Sequence, residues 1–346
     1  MPRELVAVAP REPVYRDYED GPVPPGHVRL RSEFSAAKHG TELSLYRGVS
    51  PFADRVWDAA RQIFLLGEQQ GGVMGFPMAL GNMTVGQVIE VGEGVERWRV
   101  GDRVFGWLGF RETHTVPERA LYALPPELAP EEVVCWDPAE FALGAVRDAL
   151  IRLGDTVVVF GMGAIGLLVV QMARLSGAAW VAAVEPIEKR RRLAADYGAS
   201  IVYDPRDTDI ALAVRRDLGR EGVDVTIEAS GSYVALHEAI RACAFGGRCV
   251  PLAFYHGEAR GLRLGEEWHM NRVDMISARA CSDPNREHPR WDNGRIRDTA
   301  LALIRQRRVT VTGIVDPVVG FEDALEAYRM IDERPEESVK LGVRYG

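Results

Sequence analysis

Three glycines follow a run of β-branched residues at a spacing that allows backbone to approach a phosphate. The run is Thr156–Phe160, and the next residues read Gly161-Met162-Gly163-Ala164-Ile165-Gly166. In a G-x-G-x-x-G turn the first glycine permits the tight turn, the second admits a pyrophosphate, and the third lets helix and strand pack closely. The apolar stretch 167–175 predicts a helix, whose N-terminal N–H groups and partial positive charge would face the phosphates.

An acidic residue stands where a ribose would be bound. A second apolar run, 178–184, ends on Glu185, about 20 residues beyond the third glycine. Its carboxylate would accept hydrogen bonds from the adenosine ribose hydroxyls of NAD and repel the 2′-phosphate of NADP. The order of strand, glycines, helix, strand and acid predicts a dinucleotide site. The alternative is a glycine-rich turn without a ligand.

Basic residues after Glu185 leave a second possibility for the cofactor. Lys189, Arg191 and Arg192 could accept a phosphate, which would favour NADP. They could equally form a solvated helix face that is balanced by Glu188 and Asp196. Because Glu185 opposes the phosphate, we expect NAD, with NADP the less favoured cofactor.

Composition excludes several classes of function. The chain has 346 residues, 47% of them hydrophobic, which suffices for two domains with full cores. The formal net charge of −8 argues against nucleic acid or an anionic membrane as partner. We expect no transmembrane segment and no signal peptide. The cysteines lack C-x-x-C spacing, so we expect a cytoplasmic protein with reduced thiols; they are Cys135, Cys243, Cys249 and Cys281.

The pattern of predicted secondary structure changes twice along the chain. Residues 1–145 read as short strands separated by Gly and Pro. Residues 146–284 alternate between strands and helices, as in a parallel α/β sheet. Residues 285–346 add two helical repeats and a final strand. We therefore predict an α/β fold in which the dinucleotide domain, 146–284, is inserted into the first domain.

Taken together, these features resemble the medium-chain dehydrogenase/reductase superfamily, which includes the zinc-type alcohol dehydrogenases. The resemblance covers nearly the whole chain and is carried by 39–48, 85–106, 137–166, 185–199, 223–231 and the C-terminal FEDALEAYRMID. It implies a GroES-like β-rich catalytic domain, an inserted Rossmann doubly wound parallel sheet, and hydride transfer to or from a nicotinamide. GTELSLYRG, GNMTVG and HPRWD most resemble the bacteriochlorophyllide a dehydrogenase-like branch of the threonine and sorbitol dehydrogenase relatives.

The residues at the family's zinc positions depart from its pattern. Where relatives place a Cys, a Gly-His-Glu motif and a later Cys or Glu, this chain has His39, then Gly81-Asn82-Met83, then Asp137 or Phe141. Zinc takes Cys, His or carboxylate ligands, and the central motif supplies none of them. The four-cysteine lobe of the relatives is missing as well. We therefore predict no zinc; the alternative is a reshaped site of His39, Asp137 and Glu140.

Without a metal, hydrogen-bond donors must stabilise the oxyanion that carbonyl reduction creates. By the resemblance, Thr41 occupies the proton-relay hydroxyl position and Asn82 replaces the family imidazole. His39 could titrate near neutral pH. With Asp137 these form the predicted catalytic set, although Thr41 could merely cap a helix. Further candidates are Lys38, which could be solvated, Tyr46, which could simply pack, and His114, which could lie on a surface strand.

The resemblance also assigns the remaining cofactor-binding residues. Pro186 and Arg190 would lie near the ribose, and residues after two later strands would line the nicotinamide and its ribose. The latter are Ala229, Ser230, Leu252, Ala253 and Phe254, with Ser277 or Arg279 near the same end. Lys340 matches a pyrophosphate contact of some relatives, or would be an edge-strand lysine.

Other segments could contact substrate, although each has a purely structural alternative. Segments 266–274 and 288–292 mix aromatic and polar residues, as a sugar or macrocycle site does, or pack at a boundary. Segment 50–72 could cover a cleft or form a surface helix. By analogy with the relatives, strand 273–280 would form a homodimer or homotetramer.

The sequence as a whole predicts an NAD(P)-dependent oxidoreductase. It would act on a secondary alcohol or its ketone, of polyol, sugar or larger alcohol type, without catalytic zinc. One alternative is a zinc-independent NADPH quinone or enone reductase. Another is a non-catalytic nucleotide-binding protein, because loss of the metal ligands can mean loss of the chemistry.

Overall fold

The structure, a computed structural model, describes residues 1–53, 55–66, 75–279 and 282–346. These form two compact units: Met1–Val134 with Val315–Gly346, and Cys135–Ile314. The bounds of these units differ from the domain boundaries that the sequence predicts at 145/146 and 284/285. Two helices account for the difference, because Trp136–Asp148 and Asn293–Arg305 pack against each other within the second unit. No helix of the described part of the chain is long and apolar enough to cross a bilayer.

The first unit consists mainly of strands. In chain order its elements are β1 (Arg3–Ala9), β2 (Glu12–Asp17), β3 (His27–Ala36), helix α1 (His39–Tyr46), β4 (Arg55–Asp58), β5 (Ile63–Leu66), β6 (Met78–Ala79), β7 (Met83–Val91), β8 (Arg103–Gly106), β9 (Thr113–Pro117), β10 (Tyr122–Ala123) and helix α2 (Pro130–Val133).

The second unit alternates helices with buried strands. Its elements are α3 (Trp136–Asp148), β11 (Thr156–Phe160), α4 (Ala164–Leu175), β12 (Trp180–Val184), α5 (Glu188–Asp196), β13 (Ile201–Tyr203), α6 (Ile210–Leu218), β14 (Val223–Glu228), α7 (Tyr233–Ala242), β15 (Cys243–Pro251), a π-helical turn (Leu264–Trp268), β16 (Asp274–Met275) and α8 (Asn293–Arg305).

The chain then returns to the first unit with β17 (Val315–Gly320), α9 (Ala324–Glu333) and β18 (Lys340–Arg344). The main sheet of this unit has the order β10-β8-β7-β3-β18-β17, and β9 pairs with β3. Helix α9 buries Tyr328 and Ile331 in a cluster that also holds Leu5 and Phe110. This cluster anchors α1, because Leu43 and Tyr46 belong to it.

The sheet of the second unit is parallel, with the order β13-β12-β11-β14-β15-β16. All five residues of β11 are buried, as the β-branched run predicted. In the register, Phe160 lies beside Val184 on one side and Glu228 on the other. Parallel strands end at one edge, so the residues after β11, β12 and β14 gather there.

Several local predictions are wrong. Segment 50–72 is not a surface helix: its described part contains the antiparallel hairpin β4–β5, and 54 and 67–72 lie outside the described residues. Alternating apolar residues such as Trp57 and Phe64 suit a strand as well as a helix. The alternative that Lys340 lies on an edge strand is also wrong, because β18 has neighbours on both sides and Lys340 is only 3% exposed.

The predicted edge strand 273–280 is represented by β16 alone. Asp274–Met275 is the terminal strand of the parallel sheet, and residues 280 and 281, including Cys281, lie outside the described residues. The oligomer built on this strand stays a prediction.

Candidate functional site

The turn after β11 owes its shape to two glycines. Gly161 has φ +86°, and a Cβ on it would lie 2.7 Å from Cβ of Ser230. A Cβ on Gly166 would lie 1.8 Å from the carbonyl oxygen of Gly161. Gly163, by contrast, has φ −73° and no atom within 4 Å of the position that its Cβ would take. A side chain at Gly161 or Gly166 would therefore clash with neighbouring atoms, whereas Gly163 leaves open space at the N-terminus of α4.

Ala164 and Ile165 form the first turn of α4, which Gly163 precedes as N-cap residue. A glycine cap brings no side chain to the helix end. The N–H groups of a first helical turn have no partner within the helix, and together with the helix dipole they attract an anion. The open space at Gly163 therefore lies beside N–H groups that can bind an anion.

Glu185 directly follows β12 and closes the same turn. It is 3% exposed, and its carboxylate accepts hydrogen bonds from the N–H groups of Met162 at 2.7 Å and Ile187 at 2.9 Å. Each carboxylate oxygen can accept a further hydrogen bond. The acid is thereby fixed beside the turn.

The cations near Glu185 are engaged with acids and backbone. Arg191 pairs with Asp204 at 2.9 Å and donates to the carbonyl oxygen of Glu185 at 2.6 Å. Arg192 pairs with Glu188 on the exposed face of α5, as the solvated-face alternative predicts. Arg206 was not foreseen: it pairs with Asp204 and donates to the carbonyl oxygen of Pro186 at 2.6 Å.

Arg190 is half-buried in the first turn of α5, where its N–H donates to the carbonyl oxygen of Ile187 at 3.1 Å. It thus lies beside the loop of Glu185 and Pro186, and its contact with a ribose stays a prediction. The paired arginines around Asp204 hold the pKa of that carboxyl well below its usual range.

Glu228 organises the other predicted cofactor residues and was missed by the sequence reasoning. Its carboxylate accepts from the N–H of Ser230 at 2.8 Å and of Gly231 at 3.1 Å, and from the hydroxyls of Ser230 and Tyr255. Burial raises the pKa of this carboxyl, and the hydrogen bonds oppose that shift. Its carbonyl oxygen accepts from Leu252 N–H at 2.8 Å.

The ends of β11, β14 and β15 are joined in this way. Ala229 N–H donates to the carbonyl oxygen of Phe160 at 2.8 Å, and Ala253 N–H to that of Glu228 at 3.3 Å. Phe254 follows and is exposed. Ser277 lies next to β15, because Ala278 N–H donates to Pro251 O at 2.9 Å. The structure therefore gathers the predicted cofactor residues of the second unit at one sheet edge.

The predicted catalytic residues of the first unit surround Glu42. His39 and Thr41 lie in the first turn of α1, which begins after Lys38, so Thr41 does not cap the helix. Glu42 is buried and accepts from Lys38 N–H at 2.9 Å and from Gly81 N–H at 2.6 Å. It thereby fixes the turn that carries Asn82 against this helix.

Tyr328 completes the shell of Glu42, to which its hydroxyl donates at 2.7 Å. Burial raises the pKa of the Glu42 carboxyl, while these hydrogen bonds and the charge of Lys340 act in the opposite direction. Asn82 itself has an unusual feature. Its amide nitrogen is buried and has no hydrogen-bond partner among the described residues.

His39 and Lys340 are held by the last strand. The ring Nε2 of His39 accepts from Leu341 N–H at 2.9 Å, and Lys340 Nζ donates to the carbonyl oxygen of Ala37 at 2.5 Å. A backbone N–H can only donate, so Nε2 carries the lone pair and the proton of the neutral ring is on Nδ1.

The other candidates have partners of their own. Asp137 and Glu140 are buried in α3 of the second unit, where Glu140 pairs with Arg297 at 3.1 Å. Tyr46 packs edge-to-face on Tyr328 at 5.0 Å between ring centroids. His114 is buried rather than on a surface strand, and burial lowers its pKa to about 3.

The two aromatic segments pack within the second unit. The guanidinium groups of Arg147 and Arg295 lie over the ring of Trp291, at 3.4 and 4.2 Å from its centroid. Trp268 packs against the core below α7. Both indoles thus have a structural role.

Zinc is the metal that the resemblance implies, and the donors of the first unit do not fit it. Nε2 of His39 is engaged by Leu341, and the oxygens of Glu42 accept three other donors. The central position offers the amide of Asn82 and the fully buried Met83. Zinc needs firm N, S or carboxylate ligands, and these donors are instead arranged as a hydrogen-bonding group.

Comparison with known proteins decides the family. Residues 57–126 match the model of the alcohol dehydrogenase GroES-like domain, and residues 164–292 match that of zinc-binding dehydrogenases. D-guloside 3-dehydrogenase of Escherichia coli K12 is 38% identical over 99% of this chain and 100% of its own length. The chain belongs to the zinc-type medium-chain alcohol dehydrogenase superfamily.

Other members of the superfamily extend the likeness. (R,R)-butanediol dehydrogenase of Bacillus subtilis is 36% identical over 57% of this chain and 62% of its own length. The crystal structure of 2R,3R-butanediol dehydrogenase from the same organism is 25% identical, covers 99% of both chains and has a TM-score of 0.78. The predicted superfamily, the α/β fold with GroES-like and Rossmann parts, and the assignment as an alcohol dehydrogenase-like oxidoreductase are confirmed.

Proposed function

We propose that this chain is an NAD-preferring dehydrogenase that oxidises a secondary hydroxyl of a sugar or glycoside, or reduces the corresponding ketone, without zinc. The name of the D-guloside 3-dehydrogenase relative supports a glycoside hydroxyl as the reacting group. The observation that carries the proposal is Asn82: a buried amide donor has no partner among the described residues, at the position of the family imidazole. Leaving such a donor unpaired costs about 1–3 kcal/mol, and a substrate oxygen would complete it.

The nicotinamide, when bound, exchanges a hydride with the carbinol carbon of the substrate. The chain's own residues then stabilise the charge on the substrate oxygen and transfer the proton. Asn82 Nδ2 and the hydroxyl of Thr41 donate hydrogen bonds to the substrate oxygen, on which negative charge develops during reduction. His39 contributes as a neutral ring that carries its proton on Nδ1.

Thr41 is the proposed proton conduit. During reduction its hydroxyl gives a proton to the substrate oxygen and takes one from water; during oxidation both transfers reverse. This exchange leaves the charge of the hydroxyl unchanged. Asp137, in the second unit, stays a predicted member of the site with no step assigned.

The second unit would bind the cofactor. In the proposed arrangement the turn 161–166 receives the pyrophosphate, and Glu185 with Pro186 and Arg190 the adenosine ribose. Residues 229–230 and 252–254 with Ser277 line the nicotinamide end, and Lys340 remains a proposed pyrophosphate contact. The pairing of Arg192 with Glu188, and of Arg191 and Arg206 with Asp204, supports NAD, because these guanidinium groups are already engaged with carboxylates.

The test follows nicotinamide absorbance with both cofactors across methyl glycosides, polyols, 2,3-butanediol, quinones and enones. We expect turnover with NAD on a glycoside or polyol, by tag-free protein whose activity survives dialysis against a chelator. Turnover of only quinones or enones with NADPH would establish the alternative reductase. Nucleotide binding without turnover of any compound would indicate a non-catalytic protein.

A further inference from the structure

A histidine and two glutamates meet on the second unit, outside the proposed catalytic and cofactor groups. His237 lies on α7, and Glu266 and Glu267 lie in the π-helical turn that packs against this helix. Candidate ligand atoms, one from each residue, lie within 4.8 Å of one another. The turn is anchored nearby, because Trp268 packs on the core cluster that includes Leu236 and Ile240.

The ring of His237 is buried without a hydrogen bond. The residue is 7% exposed, and its Nδ1 has no partner among the described residues. Its Nε2 faces Oε2 of Glu266 at 3.6 Å, which is too long for a hydrogen bond. A buried imidazole usually satisfies at least one ring nitrogen, so the site is incomplete as it stands.

Each carboxylate has one oxygen paired with an arginine and the other left over. Oε1 of Glu266 lies 3.5 Å from Arg263 and Oε1 of Glu267 lies 3.4 Å from Arg241. Oε2 of Glu267 is buried without a partner among the described residues, and Oε2 of Glu266 faces the imidazole. Within the described part of the chain, two carboxylate oxygens and an imidazole thus remain without a hydrogen bond.

The charges around the cluster favour a cation. Arg241 also pairs with Asp209 at 2.9 Å and with Glu238 at 2.8 Å. The carboxylates of Asp209, Glu238, Glu266 and Glu267 therefore share the guanidinium groups of Arg241 and Arg263. An excess of two negative charges is left, which a divalent ion would neutralise.

We propose that His237, Glu266 and Glu267 bind a divalent transition-metal ion, with water in the remaining positions. Imidazole and carboxylate oxygens are ligands of zinc at about 2.0–2.2 Å, so their atoms would be about 3–4 Å apart around the ion. Of the three side chains, that of Glu266 is exposed and is the one that would move to reach this spacing. The ion would tie the segment between β15 and β16 to α7.

The test uses tag-free, full-length protein stripped of metal by a chelator and titrated with Zn²⁺ by calorimetry. We expect one ion per chain and a Tm that rises with Zn²⁺ concentration, because the ion binds only the folded site. Glu266→Gln and Glu267→Gln should each weaken binding tenfold or more. Glu266 is exposed, so that variant should fold normally. Glu258→Gln, which disrupts an exposed ion pair with Arg260, is the matched control and should bind as the wild type does.

A variant of the first unit distinguishes this metal site from a zinc site at His39. Zn²⁺ binding that persists in His39→Asn and is lost in His237→Gln supports the site. Binding that is lost in His39→Asn and persists in His237→Gln overturns it, and overturns the zinc-free catalytic group as well. Absence of any bound ion overturns this site alone. Visible absorption bands of Co²⁺-loaded protein give a second readout that does not depend on activity.

Discussion

The carboxylate of Glu42 accepts a 2.6 Å hydrogen bond from the backbone N–H of Gly81, the residue directly before Asn82. The same carboxylate holds the N-terminus of α1 through Lys38. One buried acid thus sets the position of His39 and Thr41 relative to Asn82. The predictions for the first unit start from this contact.

Replacing Asn82 by Ala should lower kcat about 10²–10³-fold, the usual effect of losing one donor to a developing oxyanion. The affinity for NADH should not change, because Asn82 belongs to the first unit and the G-x-G-x-x-G turn to the second. Steady-state kinetics and a fluorescence titration with NADH measure the two quantities. Asn82→Asp should be at least as slow, since its charge repels the oxyanion. Unchanged kcat in both variants would remove Asn82 from the mechanism.

Glu42→Gln should destabilise the protein by about 1–3 kcal/mol, because an amide puts a donor where three donors already point. It should also change the pH dependence. Burial raises the pKa of Glu42, so the folded state holds this proton to higher pH than the unfolded state. This contribution to stability is present below the ordinary carboxyl pKa and is lost as pH rises through the raised value.

Urea unfolding of wild type and Glu42→Gln between pH 4 and 8 measures this effect. In the wild type, Glu42 makes the free energy of unfolding decrease as pH rises. We expect this decrease to be absent in the variant. Glu326→Gln, at an exposed ion pair with Arg329, is the control and should leave the profile unchanged. The same dependence of unfolding free energy on pH in wild type and Glu42→Gln would contradict the role given to the buried Glu42.

His114 should make the protein less stable in acid. Its folded pKa lies at about 3, so between that value and about 6.5 the unfolded chain binds a proton that the folded chain does not. The loss of unfolding free energy begins as pH falls below about 6.5, and it reaches about 5 kcal/mol at most near pH 3. His114→Leu should reduce the loss, whereas a change of the exposed His269 to Gln should not. Denaturant unfolding across this pH range provides the measurement.

The glycines of the turn should respond differently to alanine. Gly163→Ala should keep the wild-type Tm, since its Cβ meets open space, and should weaken NADH binding about tenfold or more by filling the space proposed for the pyrophosphate. Gly166→Ala should lower Tm or prevent folding, because its Cβ would overlap the carbonyl oxygen of Gly161. Thermal melts and NADH titrations distinguish these effects. Normal NADH affinity in Gly163→Ala would show that the turn is not the binding site.

Glu185→Gln should lower kcat/KM for NAD about tenfold to a hundredfold, since hydrogen bonds to a charged group contribute about 1.5–3 kcal/mol. The ratio of NADP to NAD activity should rise, because the repulsion of a 2′-phosphate is removed. Kinetics with both cofactors test this. A wild-type preference for NADP would refute the role given to Glu185.

The sequence predicted the second unit well where local signals were strong. Thr156–Phe160, the glycines and Glu185 lie within about 30 residues of one another, and each has a strong conformational or chemical preference. The hairpin β4–β5 was missed because its short alternating stretches fit helix and strand equally. The edge-strand alternative for Lys340 was wrong because β17, which contains Pro317, was not predicted as a strand.

The buried acids of the site could not be foreseen for a different reason. Glu42 meets Gly81 and Tyr328, which are 39 and 286 residues away in sequence. Glu228 and Glu42 each look like an ordinary charged residue, and only the folded chain shows the donors around them. The signal that could have indicated Glu228 is its place at the end of a buried strand next to Ser230.

The last strand has a consequence for biosynthesis. Residues 135–314 form one unit and are continuous in sequence, whereas α1 relies on Lys340 and Leu341 to hold Ala37 and His39. Domains fold as units while the nascent chain emerges. On the ribosome, the second unit can therefore mature before α1 receives its final support, because that support has to wait for the synthesis of β18.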